Sequence, residues 1–219
     1  MSFLPEGRAW GSLAPALILA AVVAGCGGGG SSDSTSASGC RQVDTPEAKD
    51  VGFAAPKQTV KKGEELTAVV KTSCGTFEIA LDTEQAPKVV NSFAFLAREG
   101  LYDGLDFYKV TSGFAIYGGD PALDGSGGPG YSLVEPPPAD TKYSRGVVAM
   151  AREPSQPAGY AGSAFFVATS AETGLPPEYA LLGRVSKGYG AVARINELGT
   201  ADQQLEQPVL IERVTIEQG

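Results

Sequence analysis

The sequence predicts a mainly β domain, a closed antiparallel barrel of eight short strands plugged at its ends by two helices. Three observations carry that expectation. Eight apolar runs of four to eight residues recur between Leu66 and Ile216, punctuated by Gly, Pro, Ser and Asp. Only two segments place apolar residues at helical spacing. Hydrophobic residues make up 42% of the 219, including 9 Phe and 8 Tyr, so a packed core is within reach.

The elements follow in order. Residues 66–72 are rich in β-branched side chains, and 76–81 alternate, with Phe77, Ile79 and Leu81 on one face. Ser73-Cys74-Gly75 between them reads as a hairpin turn. Pro87 suits the first turn of a helix whose apolar stripe is Val89, Phe93 and Leu96 and whose stop is Gly100. Further strands are expected at 106–110, 114–118, 146–152, 165–168, 179–185 and 209–216. A second helix is expected at 189–198, where Val192, Ile195 and Leu198 recur. The Gly-rich and Pro-rich stretches 118–130 and 135–140, and residues 153–161, read as surface loops.

Ahead of this domain the chain reads as an export signal and a tether. Arg8 precedes an apolar run over 13–24, too short for a comfortable membrane span. It ends in Val23-Ala24-Gly25-Cys26, which resembles the box of small residues before a lipidated cysteine in bacterial lipoproteins. A plain secretory signal with a chance cysteine is the alternative. Residues 27–39 are Gly, Ser, Thr, Asp and Ala, a flexible coil that spans on the order of 20 Å. The division expected is therefore a signal at 1–25, a lipidated Cys26 with its tether through 39, an irregular segment at 40–65 and a globular domain at 66–219. The mature protein is expected outside the cytoplasm, held to a bacterial membrane by lipid.

Charge and composition exclude several function classes. With 25 acidic against 17 basic residues the net charge is -8, the wrong sign for tracking nucleic acid. There is no histidine, which removes Ser-His-Asp and Cys-His relays and His-ligated metals. The 3 cysteines cannot complete a four-thiolate zinc site. No metal or other cofactor is expected. With Cys26 taken by lipid, Cys40 and Cys74 are the remaining pair in an oxidising space. A bridge between them would stabilise the fold by about 3–4 kcal/mol by loop entropy. Two free thiols are the alternative, and the spacing is not that of a Cys-x-x-Cys redox site.

Two segments invite a chemical reading and do not sustain it. Residues 118–130 lack the lysine of a phosphate-binding loop, and Asp120 and Asp124 are not spaced as an EF-hand. Ser163 has no histidine to take its proton.

Residues 102–120, Tyr-Asp-Gly-Leu-Asp-Phe-Tyr-Lys-Val-Thr-Ser-Gly-Phe-Ala-Ile-Tyr-Gly-Gly-Asp, are similar to the cyclophilin signature, written Phe-His-Arg-Val-x-x-Gly-Phe-x-x-Gln-Gly-Gly-Asp. Three more motifs come in the family's order: Gly146-Val-Val-Ala-Met-Ala151, Gly162-Ser-Ala-Phe-Phe-Val167 and Tyr179-Ala-Leu-Leu-Gly-Arg-Val185. Pro87 with Asn91-Ser92-Phe93 resembles the family's first helix. The likeness spans roughly 66–218 and implies the eight-stranded cyclophilin barrel and peptidyl-prolyl cis–trans isomerisation.

Carried over residue by residue, the resemblance implies that Phe114, Phe166 and Leu175 grip the proline ring, with Ala151 on the peptide-contact strand. Ala115 stands where the family often has methionine. Lys109 replaces the arginine that donates to the amide nitrogen, Tyr117 and Ala164 replace two glutamines, and Tyr179 replaces a histidine. Gly174 stands where many members have tryptophan. Lysine keeps the charge without the planar fork of arginine. Arg152, next to Ala151, is a candidate to supply the missing guanidinium, or else a solvated arginine leading into a loop.

The implied partners are proline-containing segments of exported proteins, met by a monomer held to the membrane through its N-terminal lipid. Two other readings stay open: a binding module that holds proline segments without turning them, and a structural lipoprotein whose groove is plugged by Tyr117 and Tyr179.

Overall fold

The computed structural model describes residues 39–219. The expected signal segment, Cys26 and all of the tether except Gly39 lie outside the described residues.

Two strands, β1 (Leu66–Thr72) and β2 (Gly75–Leu81), form the expected hairpin, with Val70 opposite Phe77 and Ala68 opposite Ile79 on the buried face. Helix α1 (Pro87–Arg98) follows and buries Val89, Phe93 and Leu96 as its spacing dictates. Ala86 offers it no side-chain cap. Instead the carboxylate of Glu135 accepts from the Lys88 and Val89 N–H groups, at 3.0 and 2.8 Å. A carboxylate at a helix N-terminus satisfies orphan donors and meets the positive end of the dipole.

The strand expected at 106–110 is two short ones, β3 (Leu105–Asp106) and β4 (Lys109–Thr111). Next come β5 (Ala115–Gly118), β6 (Leu133–Val134), β7 (Val147–Met150), β8 (Tyr160–Ala161) and β9 (Phe165–Ala168). The chain closes with β10 (Leu181–Lys187), helix α2 (Tyr189–Glu197) and β11 (Leu210–Gln218). Strands β6 and β8 pair with each other, β6 between the two stretches 118–130 and 135–140 and β8 at the end of 153–161, all read from sequence as loops. Two-residue ladders leave no periodicity to detect.

Nine strands make one antiparallel sheet in the order β3-β11-β1-β2-β10-β7-β9-β5-β4. The mainly β class with two helices is as expected, but the ladder is not closed and the strand count differs. The reason lies in residues 105–111. Leu105–Asp106 pairs with β11 at one end of the sheet, and Lys109–Thr111 pairs with β5 at the other. Three Cα steps, at most about 11 Å, separate those two pairings. The two ends of the sheet therefore meet across Phe107 and Tyr108 through the chain itself rather than through hydrogen bonds. Helix α1 packs on β10 and β11, and α2 packs on β2, β4 and β5.

Residues 40–65 run over this sheet. Cys40 and Cys74 form the expected disulfide, and Arg194 of α2 donates through Nε and Nη2 to the Cys74 carbonyl at 2.9 and 2.7 Å. The segment then crosses the Gly-rich loop, where Lys49 and Phe53 N–H donate to the carbonyls of Pro121 and Pro129, both at 2.8 Å. It ends on α1, where Asn91 Oδ1 accepts from the N–H groups of Thr59 and Val60 at 2.8 and 3.0 Å.

Candidate active site

Register places the site. Lys109 on β4 lies directly opposite Tyr117 on β5, Tyr117 opposite Phe166 on β9, and Phe166 opposite Ala149 on β7. Directly opposed residues project to one face of a sheet, so the two motifs that supply Lys109, Tyr117 and Phe166 become a single row across it. The Lys109 ammonium lies 5.0 Å from the Tyr117 ring centroid. Tyr117 tilts over Phe166 at 5.6 Å, and Tyr179 meets Phe166 edge to face at 5.5 Å and 89°. The Arg152 guanidinium stands 5.3 Å from the Tyr179 centroid. The result is a Tyr–Phe–Tyr row with a cation against each tyrosine, an arrangement favoured by the negative faces of the rings.

Backbone bonds hold these side chains in place. The Tyr143 hydroxyl donates to the Tyr179 carbonyl at 2.6 Å and accepts from the Tyr179 N–H at 2.9 Å. Burial pushes the Tyr143 phenol up to about 12, so it stays protonated and keeps donating. Thr173 Oγ1 donates to the Tyr143 carbonyl at 2.8 Å and accepts the Leu175 N–H at 3.3 Å, which carries Leu175 to the same region. Phe114 closes a turn onto Thr111, and its carbonyl accepts from the Thr169 N–H at 2.9 Å, just beyond β9. Ala151 N–H donates to the Ala164 carbonyl at 2.9 Å. Nothing local in the sequence marks Tyr143, which lies 36 positions from Tyr179 and is found only by folding.

The floor is not the open hollow implied by the resemblance. Phe166 is 1% exposed, because Tyr117, Tyr143 and Tyr179 all rest on it. Ala115 is fully buried. Phe114, Tyr117, Leu175 and Tyr179 are half-buried against the same core and offer the apolar surface that solvent reaches. Burial, and then the nearby Tyr179 phenol, push the Tyr117 hydroxyl up to about 12. Tyr117 thus brings a neutral phenol to the rim at neutral pH.

Beside the row opens a cleft of about 420 Å³ whose walls include Lys109, Tyr117, Ala151, Arg152 and Ala164. Five of the ten expected site residues therefore line one cavity, joined by Tyr108, which lies inside the signature but carries no expected role, and by Tyr160, outside every motif. Arg152 is not a solvated arginine: its side chain is 9% exposed. Its Nη1 donates to the carbonyls of Glu153 and Gln156 at 2.9 and 2.7 Å, and its Nη2 pairs with the Glu178 carboxylate.

The Gly-rich loop bounds the cleft with Gly125, Ser126 and Gly127. Its aspartates serve the loop itself. Asp120 is fully buried and accepts from the N–H groups of Asp124 and Gly125 at 3.1 and 2.7 Å, while Asp124 accepts from Ser126. Gly119 before it has φ +80°, and a Cβ there would lie 2.8 Å from the Phe165 ring and 2.9 Å from Tyr102. Only glycine fits both demands. Among the described residues, no three Cys, Asp or Glu side chains are placed to hold a metal ion.

Comparison with known proteins bears on the whole domain. Residues 67–216 match the family described as cyclophilin type peptidyl-prolyl cis-trans isomerase/CLD. Peptidyl-prolyl cis-trans isomerase B of Streptomyces anulatus is 34% identical over 175 residues, covering 70% of this chain and 98% of that protein. A peptidyl-prolyl cis-trans isomerase of Helicobacter pylori is 34% identical over 134 residues, covering 59% of this chain and 80% of that protein. Among solved structures, a cyclophilin type isomerase of Cryptosporidium parvum superposes with a TM-score of 0.65 at 27% identity, over 71% of this chain and 99% of that one. The same protein in the presence of the dipeptide Ala-Pro gives 0.64 at 28% identity, over 70% and 99%.

Proposed function

Because the chain belongs to the cyclophilin-type peptidyl-prolyl cis–trans isomerases, we propose that its row of Tyr117, Phe166 and Tyr179 with Lys109 is where the proline bond is turned. Peptide rotation is resisted by amide resonance, a barrier of roughly 18–20 kcal/mol. Lowering it needs no proton relay and no covalent step. It needs the proline ring held in an apolar place, the flanking backbone fixed, and a donor at the amide nitrogen, whose lone pair resonance releases in the twisted state.

The observation that carries the assignment is the cross-strand row itself, which sets an ammonium beside an aromatic floor. In this reading Phe114, Phe166 and Leu175 grip the ring and Lys109 donates to the twisted amide. Ala151 and Ala164 flank the peptide along the cleft. Tyr117 swings outward on binding, since Phe166 is otherwise covered. Proline-containing polypeptides are the substrates. The chain acts on exported proteins outside the cytoplasm, as a monomer anchored through a lipid on Cys26.

NMR exchange spectroscopy on a tetrapeptide with one central Ala-Pro bond tests the activity. The native chain accelerates cis–trans exchange, and Lys109→Met slows it. The rival reading, a module that binds proline segments without turning them, draws on the 1% exposure of Phe166. It gains if peptide signals shift on titration while exchange stays at the uncatalysed rate. Export and anchoring are tested in cells: Cys26→Ala abolishes incorporation of labelled palmitate, and a native chain that takes up no label overturns the anchor.

A further inference from the structure

Arg152 is built into the fold more tightly than a groove-edge donor requires. Both of its Nη groups are engaged, by the carbonyls of Glu153 and Gln156 and by the carboxylate of Glu178. Those partners come from two places. Glu153 and Gln156 belong to the turn after β7, where Gln156 also accepts the Glu153 N–H at 2.8 Å. Glu178 precedes Tyr179 at the approach to β10. The guanidinium therefore straps the turn to the Tyr179 segment, with its Cζ 5.3 Å from the Tyr179 ring centroid.

Tyr179 in turn meets Phe166 edge to face at 5.5 Å. Tyr143 fixes the backbone of Tyr179 and meets one side of its ring edge to face at 5.7 Å, so the ring's remaining restraint is the cation against it. The only cation facing that ring among the described residues is Arg152. Its Nε is buried and has no hydrogen-bond partner, so the head is held through its Nη atoms and its contact with the ring.

We propose that Arg152 is a positioning residue that acts through Tyr179. Strapped by Glu178, it holds the Tyr179 ring upright as the fixed wall of the proline site, opposite the Tyr117 side. It is not a second donor to the twisted amide. This rests on the isomerase reading for its kinetic consequence, but its structural consequence is independent of turnover.

The test measures kcat and KM of the full chain by exchange spectroscopy on the Ala-Pro tetrapeptide, together with the Tyr179 ring resonances. Arg152→Met keeps the stem and removes the charged fork. It raises KM about tenfold with little change in kcat, the signature of lost positioning rather than lost transition-state contact. The Tyr179 ring signals move toward the averaged positions of a mobile ring. Glu178→Gln acts in the same direction and more weakly, and Arg152→Lys recovers part of the loss because an ammonium still faces the ring. A fall in kcat at constant KM makes Arg152 a donor and overturns the proposal. So do unchanged kinetics and unchanged ring signals in a variant that keeps the native melting temperature. If the native chain turns nothing over, the isomerase reading fails by itself. Peptide affinity and the Tyr179 resonances then still decide the role of Arg152.

Discussion

Lys109 and Tyr117 are cross-strand partners in the β4–β5 ladder, and the ammonium rests 5.0 Å from the ring centroid. The one cation at the arginine position of the family signature is therefore engaged with a side chain that replaces a glutamine of the same signature. The two departures from the family pattern are a matched pair, and they govern how the site responds to substitution.

Removing the charge comes first. Lys109→Met is expected to lower kcat/KM on the order of ten- to a hundredfold, the worth of one charge-assisted hydrogen bond to the twisted amide. Lys109→Arg raises it above native, because the planar fork reaches the amide while a second N–H faces Tyr117. Exchange rates for both variants against native protein settle the point. A Met variant as fast as native would remove Lys109 from the mechanism.

Tyr117 covers Phe166 from one side. Tyr117→Ala uncovers the floor, and KM for the tetrapeptide is expected to fall about three- to tenfold as apolar area becomes available to the proline ring. Titration of the variant measures it. The same change lowers stability, since an aromatic pair at 5.6 Å is lost.

The Cys40–Cys74 bridge joins the start of the described chain to the β1–β2 turn. Replacing both cysteines by alanine is expected to lower stability by about 2–4 kcal/mol. The melting temperature then drops on the order of 10 °C, and a reductant has no further effect on the variant. Calorimetry with and without reductant checks both. Hydrogen exchange should rise first at Arg41, whose N–H donates to the Ser73 carbonyl at 2.7 Å.

Helix α1 takes its N-terminal cap from Glu135, far along the chain. Glu135→Ala is expected to cost about 1 kcal/mol, or roughly 2–4 °C in melting temperature. Because the Glu135 carboxylate caps α1 and does not line the cleft, turnover at 25 °C should be kept.

Burial, aided by the negative charge of Asp120, lifts the Asp106 carboxyl from its usual 3.8 to about 6. A carboxyl raised in the fold binds its proton more tightly there than in the unfolded chain. Between about pH 4 and 6 stability therefore declines as pH rises, and above 6 the ionised, half-buried group is a constant penalty. Asp106→Asn removes it. The variant should melt about 2–4 °C above native at pH 8, after allowance for solvent screening, with the gap closing near pH 4. Equal melting curves at both pH values would show that Asp106 ionises freely.

Much of this molecule was legible before folding. The alternation of Phe77, Ile79 and Leu81 and the stripe of Val89, Phe93 and Leu96 are periodic, and each periodicity became the element it predicts. The four ordered motifs named the family by residue identity, and the fold supplies one reason for it: a Cβ at Gly119 would strike Phe165 and Tyr102. The absence of histidine ruled out a relay, since side-chain chemistry does not depend on where the chain goes.

Tertiary structure decided the rest. Whether 106–110 is one strand or two depended on two different partners, Leu210 and Ile211 for β3 and Ala115–Tyr117 for β4, and pairing is a property of two segments rather than one. The clamp of Tyr143 on Tyr179, the cap of Glu135 on α1 and the strap of Arg152 to Glu178 join positions with no shared spacing. Above all, the residues of the proline grip were readable from their motifs, but whether Tyr117 and Tyr179 line the groove or cover Phe166, and that Tyr143 joins them on it, was not. Exposure is set by what the fold lays on top of a side chain, and only the packed sheet determines that.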